Sequence, residues 1–212
     1  MTEVCEIVGY KLLDGHTEIK VKTKGNLEKH IKRFSKDGKL NGALKLDDGR
    51  TISAEQRKKI YACVGDIAEW SGAYPEYTKQ LLKCFYIART GIEDFSLSDC
   101  SMSIARDFIS YIIEFSFEHN IPFADLGLNR TDDIGKYLWS CLEYKKCCIC
   151  GLDGEAHHED AIGMGRDRLH YDDSKHKKIC LCRKHHTEAH QAGIESFRKK
   201  YHVFGILFRK EV

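Results

Sequence analysis

Cys147 and Cys150 form a C-x-x-C pair, and Cys182 and His185 form a C-x-x-H pair 32 residues beyond Cys150. Together they offer the four soft donors that a tetrahedral structural zinc takes. Cys148 and Cys180 stand in the same neighbourhood, so spacing alone leaves the ligand register open by a residue or two. Two further histidine sets remain. His186 and His190 are four residues apart, which on a helix places both imidazoles on one face, able to share an ion. The adjacent pair His157-His158 supplies a third ligand from one member or the other, because neighbouring side chains of a strand point to opposite faces. The member left over, a neutral imidazole beside a metal-bound phosphate, has the chemistry of a general base for water.

The whole composition agrees with metal binding. Ten cysteines and eleven histidines stand in 212 residues, with six cysteines between 141 and 182 and eight histidines between 157 and 202. In a cytosolic chain such clustering means metal ligands rather than disulfides. No window approaches the ~18 apolar residues of a membrane span, and the start MTEVCEIVGY has neither a basic leader nor a cleavage site. The expected location is therefore a cytosol, with no membrane partner. A net charge of +2 does not by itself announce nucleic acid, so such a partner has to be argued from local features.

The elements that must position these ligands follow from periodicity and punctuation. Residues 4–12 alternate loosely, Asp14-Gly15 marks a turn, and Glu18 to Thr23 resumes the alternation, which predicts a β-hairpin turning at Leu13 to His16. Asn26 is placed to cap a short helix through about Ser35. Ala43 to Leu46 and Arg50 to Ile52 flank Asp47-Asp48-Gly49 as a second small hairpin. Ser53-Ala54-Glu55-Gln56 fits a capping box for a helix to Trp70, and Gly72 is its stop. Pro75 opens a helix carrying Tyr77, Leu81, Leu82, Phe85 and Ile87, and another spans about Met102 to His119; their apolar stripes are expected to be core. Thr131 is the expected cap of a helix through about Lys146. The boundary is placed near 125–130, giving modules 1–128 and 129–212.

Over about 45 residues the ligand-bearing stretch resembles the HNH, or ββα-metal, nucleases, of the variety whose finger is buttressed by two zinc knuckles. The resemblance implies an α+β chain: an N-terminal small sheet with helices and a C-terminal zinc-stabilised ββα-metal finger. It implies that His158 is the general base, that His157, His186 and His190 hold the catalytic divalent ion, and that His185 replaces the last knuckle cysteine beside Cys147, Cys150 and Cys182. The family places an asparagine where this chain has Lys177; His176, one step earlier, takes that role if the strand carries a one-residue bulge, and would orient His158. The implied reaction is phosphodiester hydrolysis leaving a 5′-phosphate, with structural Zn2+ and a catalytic Mg2+, Mn2+ or Ni2+. Gly163-Met164-Gly165-Arg166-Asp167-Arg168 adds two guanidiniums suited to backbone phosphates, although a solvated loop accounts for them equally well.

The segments Ser53 to Ile67 and Phe95 to Met102 resemble, in layout and a few short stretches, the Orf/NinB recombination proteins of bacteriophages. With the fused finger, the chain is similar to HNH nucleases encoded in phage and prophage recombination regions. That likeness implies an enzyme of the bacterial host cytoplasm acting on single-stranded or branched DNA. It further implies a recombinase or single-strand-binding protein as partner, and a homodimer. Lys20, Lys22, Lys24, Lys29, Lys32, Arg33, Lys36 and Lys39 form a basic run that could track a phosphate backbone or simply be a solvated face. The alternative from another class is a non-catalytic single-strand-binding mediator with a purely structural zinc finger.

Overall fold

The computed structural model describes residues 5–36, 39, 49–159 and 175–208. β1 (Cys5–Leu13) and β2 (His16–Thr23) pair antiparallel about Asp14-Gly15, where Gly15 adopts φ +84°, open to glycine without a Cβ penalty. The register pairs Ile7 with Val21, admits an extra residue at Val8-Gly9, then pairs Tyr10 with Ile19 and Leu12 with Thr17. That bulge returns the even-numbered Tyr10 and Leu12 to the face of Ile7. One face thus carries Ile7, Tyr10, Leu12, Ile19 and Val21. On the other, Glu6 opposes Lys22 and Lys11 opposes Glu18. None of the five apolar residues is buried.

Helix α1 (Glu28–Phe34) begins one residue later than a cap at Asn26 would place it: Leu27 is the N-cap, and the Asn26 side chain accepts from the Glu28 N–H at 2.9 Å. Much of the expected second hairpin, 43–48, lies outside the described residues. The other arm is described. Arg50 to Ile52 pairs with Cys100 to Met102, through Ile52 N–H to Cys100 O at 2.7 Å and Met102 N–H to Arg50 O at 2.9 Å.

Three helices make the body: α2 (Ala54–Ser71), α3 (Pro75–Thr90) and α4 (Met102–Glu118). The capping box of α2 is complete, with Gln56 N–H donating to Ser53 Oγ at 3.1 Å and Ser53 N–H to the Gln56 side chain at 3.0 Å. Gly72 ends α2 and Gly91 ends α3, both in the left-handed region. The stripe assigned to the core on α3 needs correction. Thr78, Leu82 and Tyr86 face inward, whereas Tyr77, Leu81 and Phe85 are exposed.

Past α5 (Gly127–Arg130), α6 (Ile134–Glu143) is the keel between body and finger, packing on α4 and on the finger sheet. Its cap is Asp133, which accepts from Lys136 N–H at 3.1 Å; Thr131, the expected cap, instead accepts from Asp133 N–H at 3.1 Å. The finger contains β3 (Glu155–His158), β4 (Lys177–Leu181), α7 (Arg183–Ala192), α8 (Ile194–Tyr201) and β5 (Ile206–Leu207), with antiparallel sheet order β3-β4-β5. Buried side chains form one continuous core from Ile52 to Val203. Tyr201 packs against the core and Val203 is buried, whereas Phe204 is exposed. Among the described residues no helix is long and apolar enough to cross a membrane.

Candidate metal centre

The first knuckle is built by a tight reversal after α6. Lys145 takes φ 54°, Cys147 N–H donates to Leu152 O at 2.7 Å, Gly151 N–H returns to Cys147 O at 2.8 Å, and Gly151 turns at φ +72°. Tyr137 of α6 anchors this reversal by donating its hydroxyl to Cys148 O at 2.9 Å. The tyrosine needs the bare backbone of Gly127 beside it, since a Cβ there would lie 2.5 Å from its oxygen. Gly154 is equally constrained, because a Cβ would come within 2.9 Å of the Leu181 carbonyl carbon.

The second knuckle is the start of α7, with Cys182 as N-cap and His185 in the first turn. Cys147, Cys150, Cys182 and His185 come together, their donor atoms all within 4.8 Å of one another. Cys150 Sγ lies 3.6 Å from Cys182 Sγ, and His185 Nδ1 lies 3.4 Å from Cys147 Sγ and 3.3 Å from Cys182 Sγ. A zinc ion with Zn–S near 2.3 Å and Zn–N near 2.0 Å has S···S edges of ~3.8 Å and S···N edges of ~3.5 Å. The donors therefore fit zinc, and they are too far apart for a disulfide. Burial works against the Cys182 thiolate, but the His185 and Lys184 backbone N–H groups and the neighbouring thiols more than reverse it and bring the thiol below its usual value. Cys148 and Cys180 are placed apart from this group. Burial pushes both thiols up, to about 12 for Cys180, and Cys148 N–H donates to Cys180 O at 3.0 Å.

His157, His186 and His190 form the second cluster, with donor atoms within 4.8 Å of one another. The ring centroids are 4.7 Å (157 to 186), 4.9 Å (157 to 190) and 4.7 Å (186 to 190) apart, with planes crossing at 84°, 76° and 87°. Three imidazoles set edge to face around a common point present their lone pairs to one small cation. β3 supplies His157 opposite Ile179, and α7 supplies the other two from successive turns of one face. Burial, followed by the charges of His186 and His190, lowers the His157 pKa to about 4, and burial likewise lowers His186; both are neutral at pH 7 and keep a lone pair for an ion.

His158 is half-buried, and its ring centroid is 6.4 Å from that of His176, the residue immediately before β4. Sequence reading missed the carboxylate next door. Glu159 is nearly buried and accepts from Arg198 Nε at 2.8 Å, from the second Arg198 nitrogen, and from Gly205 N–H at 2.7 Å. A Cβ at Gly205 would overlap that carboxylate. The acidic residue of a histidine-histidine-acid run was its one available signal. Glu188 lies beside the Cys147, Cys150, Cys182, His185 group, accepting from Tyr201 Oη at 3.0 Å where the tyrosine ring stands 5.6 Å from His185. Glu155 is exposed. Arg166, Arg168 and His170 lie outside the described residues.

On a mixed α and β scaffold, a four-donor Cys/His knuckle and three convergent imidazoles have the donor chemistry of two metal sites. The chain matches the family model described as "Putative HNHc nuclease" over residues 25–211 and belongs to that family. Comparison with the curated proteins and with the solved structures found no match.

Proposed function

We propose that this protein is an HNH-type DNA endonuclease in which residues 129–212 cleave and residues 1–128 bind single-stranded or branched DNA during phage recombination or replication in a bacterial cytoplasm. The observation that carries the reading is the edge-to-face convergence of His157, His186 and His190 with His158 adjacent on the same strand. A closed zinc knuckle accounts for four donors and leaves these histidines over. Cys147, Cys150, Cys182 and His185 would hold Zn2+, and the three imidazoles would hold Mg2+, Mn2+ or Ni2+. That divalent ion, when bound, supplies a Lewis acid for the scissile phosphate and for charge on the departing 3′ oxygen.

Alternation along β3 turns His158 away from the His157 side. As the general base, the His158 imidazole takes a proton from the water that attacks phosphorus. His176, across the strand pair, holds the His158 ring in orientation and stabilises it when protonated. Glu159 ties the end of β3 to Arg198 and Gly205 N–H, next to His158. Arg166 and Arg168 are proposed to clamp backbone phosphates, which positions DNA without reading its sequence. A recombinase or single-strand-binding protein is the proposed partner of the 1–128 module.

The test is cleavage of supercoiled plasmid and single-stranded circular DNA by wild type and His158→Ala, with zinc content measured and Mg2+, Mn2+ or Ni2+ added. The wild type is expected to cut, and the variant to bind DNA and keep its zinc while cleaving ~10²–10⁴-fold more slowly, the usual share of a general base. DNA binding without cleavage by either protein under every ion would replace the enzyme with a non-catalytic mediator.

A further inference from the structure

A cleft of about 770 Å³ opens between α2, α3 and the segment 94–98. Its size is that of small-ligand sites, ~300–1,000 Å³. Arg57 and Tyr61 reach it from one face of α2, and Lys79 and Lys83 from one face of α3, each pair four residues apart. Among the described residues three cations and a single carboxylate, Asp94, line it. Like charges one helical turn apart repel each other, so Lys79 and Lys83 are held together against their own field.

The cations are held by the fold, and their counter-ions are not. The Lys79 and Lys83 side chains are only 14% and 12% exposed. Lys79 Nζ stands 5.6 Å from the Tyr61 ring centroid, and Lys83 Nζ stands 5.0 Å from that of Phe95. The carboxylates that pair with them, Glu76 at 2.7 Å and Asp94 at 3.1 Å, are 70% and 82% exposed, and such water-facing partners contribute little. Arg57 is gripped through Nε to Leu97 O at 3.0 Å and a second nitrogen to Ser98 O at 3.3 Å, two neutral acceptors that leave its charge in place. Fixed cations with loosely held counter-ions are the arrangement that an incoming phosphate displaces.

We propose that this cleft binds one nucleotide unit of single-stranded DNA, with the phosphate on Lys79, Lys83 and Arg57 and the base against Tyr61. The proposal rests on the reading that residues 1–128 bind single-stranded DNA, and it assigns that binding to the helical body rather than to the basic run of 20–39. Two features select an unpaired nucleotide. A bare phosphate needs only the cations, whereas the cleft also offers the exposed Tyr61 ring, the Gln80 amide and the Ser96 and Ser98 hydroxyls, groups suited to a base and a sugar. A duplex keeps its bases stacked inside and leaves that ring uncovered, whereas an unpaired base has a π-face to lay on it.

Fluorescence anisotropy of labelled oligothymidylate, titrated with the full zinc-loaded chain and no added divalent ion, tests the site. Wild type is expected to bind. Lys79→Gln with Lys83→Gln keeps the stems that cover the two rings, and is expected to weaken binding at least ~10-fold and lower the salt slope by ~0.7, the share of one phosphate on a single strand. Tyr61→Ala is expected to weaken it roughly 5- to 150-fold, the worth of one stacked base, with the salt slope unchanged. Lys58→Ala, a loss of charge at a solvent-facing position of the same helix, is expected to change neither. Lys79→Arg with Lys83→Arg, which keeps the charges, is expected to retain binding. Equal affinity of wild type and the glutamine pair would overturn the site while leaving single-strand binding standing; no binding by wild type would remove both. Calorimetry with thymidine 5′-phosphate separates the two sources of the same chemistry. Saturation by the free nucleotide as tight as by the strand would assign the cleft to free nucleotides and overturn the proposal. An equal loss on a DNA duplex for Tyr61→Ala would overturn the base contact, and the proposal with it.

Discussion

The two clusters of the finger share helix α7 and differ in almost everything else. The Cys147, Cys150, Cys182, His185 group has four donors, three of them on buried residues, and its hydrogen-bonded knuckles close around it. The His157, His186, His190 group has three donors graded from buried to exposed. Four protein donors saturate a tetrahedral ion, whereas three leave a coordination position for water or substrate. The difference comes from two pairs of sequence neighbours divided between duties. His185 and His186 are separated by the helical rotation between successive residues, and His157 and His158 by strand alternation. Donor count and exposure thus distinguish the two clusters within a few residues.

Disabling the closed cluster is expected to have the largest effect. Cys182→Ser, or stripping zinc with a strong chelator, should unfold the finger, because structural zinc contributes ~10 kcal/mol or more of binding energy directly to folding. Circular dichroism and thermal melting check this, and a finger that melts unchanged without zinc would erase the contrast. His186→Ala and His190→Ala come next. Each should weaken retention of added Mn2+ or Ni2+ at least 10–100-fold, the loss known for ligand-supporting partners alone, while zinc content and melting temperature hold. Calorimetric titration reads the affinity. Gly205→Ala should cost ~1–3 kcal/mol by overpacking against Glu159, seen as a lowered denaturation midpoint with both clusters still able to load. The smallest effect is expected for Lys32→Ala in α1, whose ion pair with Glu28 at 2.6 Å is fully solvent-facing. Its melting temperature should match wild type within error.

What could be read from the sequence was what is decided locally. The capping box of α2, the glycine stops at Gly72 and Gly91 and the proline start of α3 all depend on residues within one turn of each other, and each sits as its spacing dictates. The knuckle spacings point to four donors that do come together in space, since C-x-x-C and C-x-x-H leave little geometric freedom. Contacts across long sequence separations were not readable. Pairing of Arg50–Ile52 with Cys100–Met102, and the hold of Arg198 and Gly205 on Glu159, join segments with no shared local pattern. The loose alternation of residues 4–12 has a definite cause, because a bulge inserts one residue and inverts parity midway along the strand. Asp133 rather than Thr131 caps α6, and both residue types are good caps, so local sequence alone does not choose between them.

The pairing of Glu155 with Leu181 and of His158 with Lys178 fixes β3 against β4. A slip of one residue would exchange the faces of His157 and His158, taking the proposed ligand from its cluster and the proposed base from its place together. A chain caught half-folded or misregistered would then be inert rather than weakly active. For a proposed DNA-cutting enzyme made inside a living cell, that coupling is a safeguard: the capacity to damage a chromosome would arrive only with the finished fold.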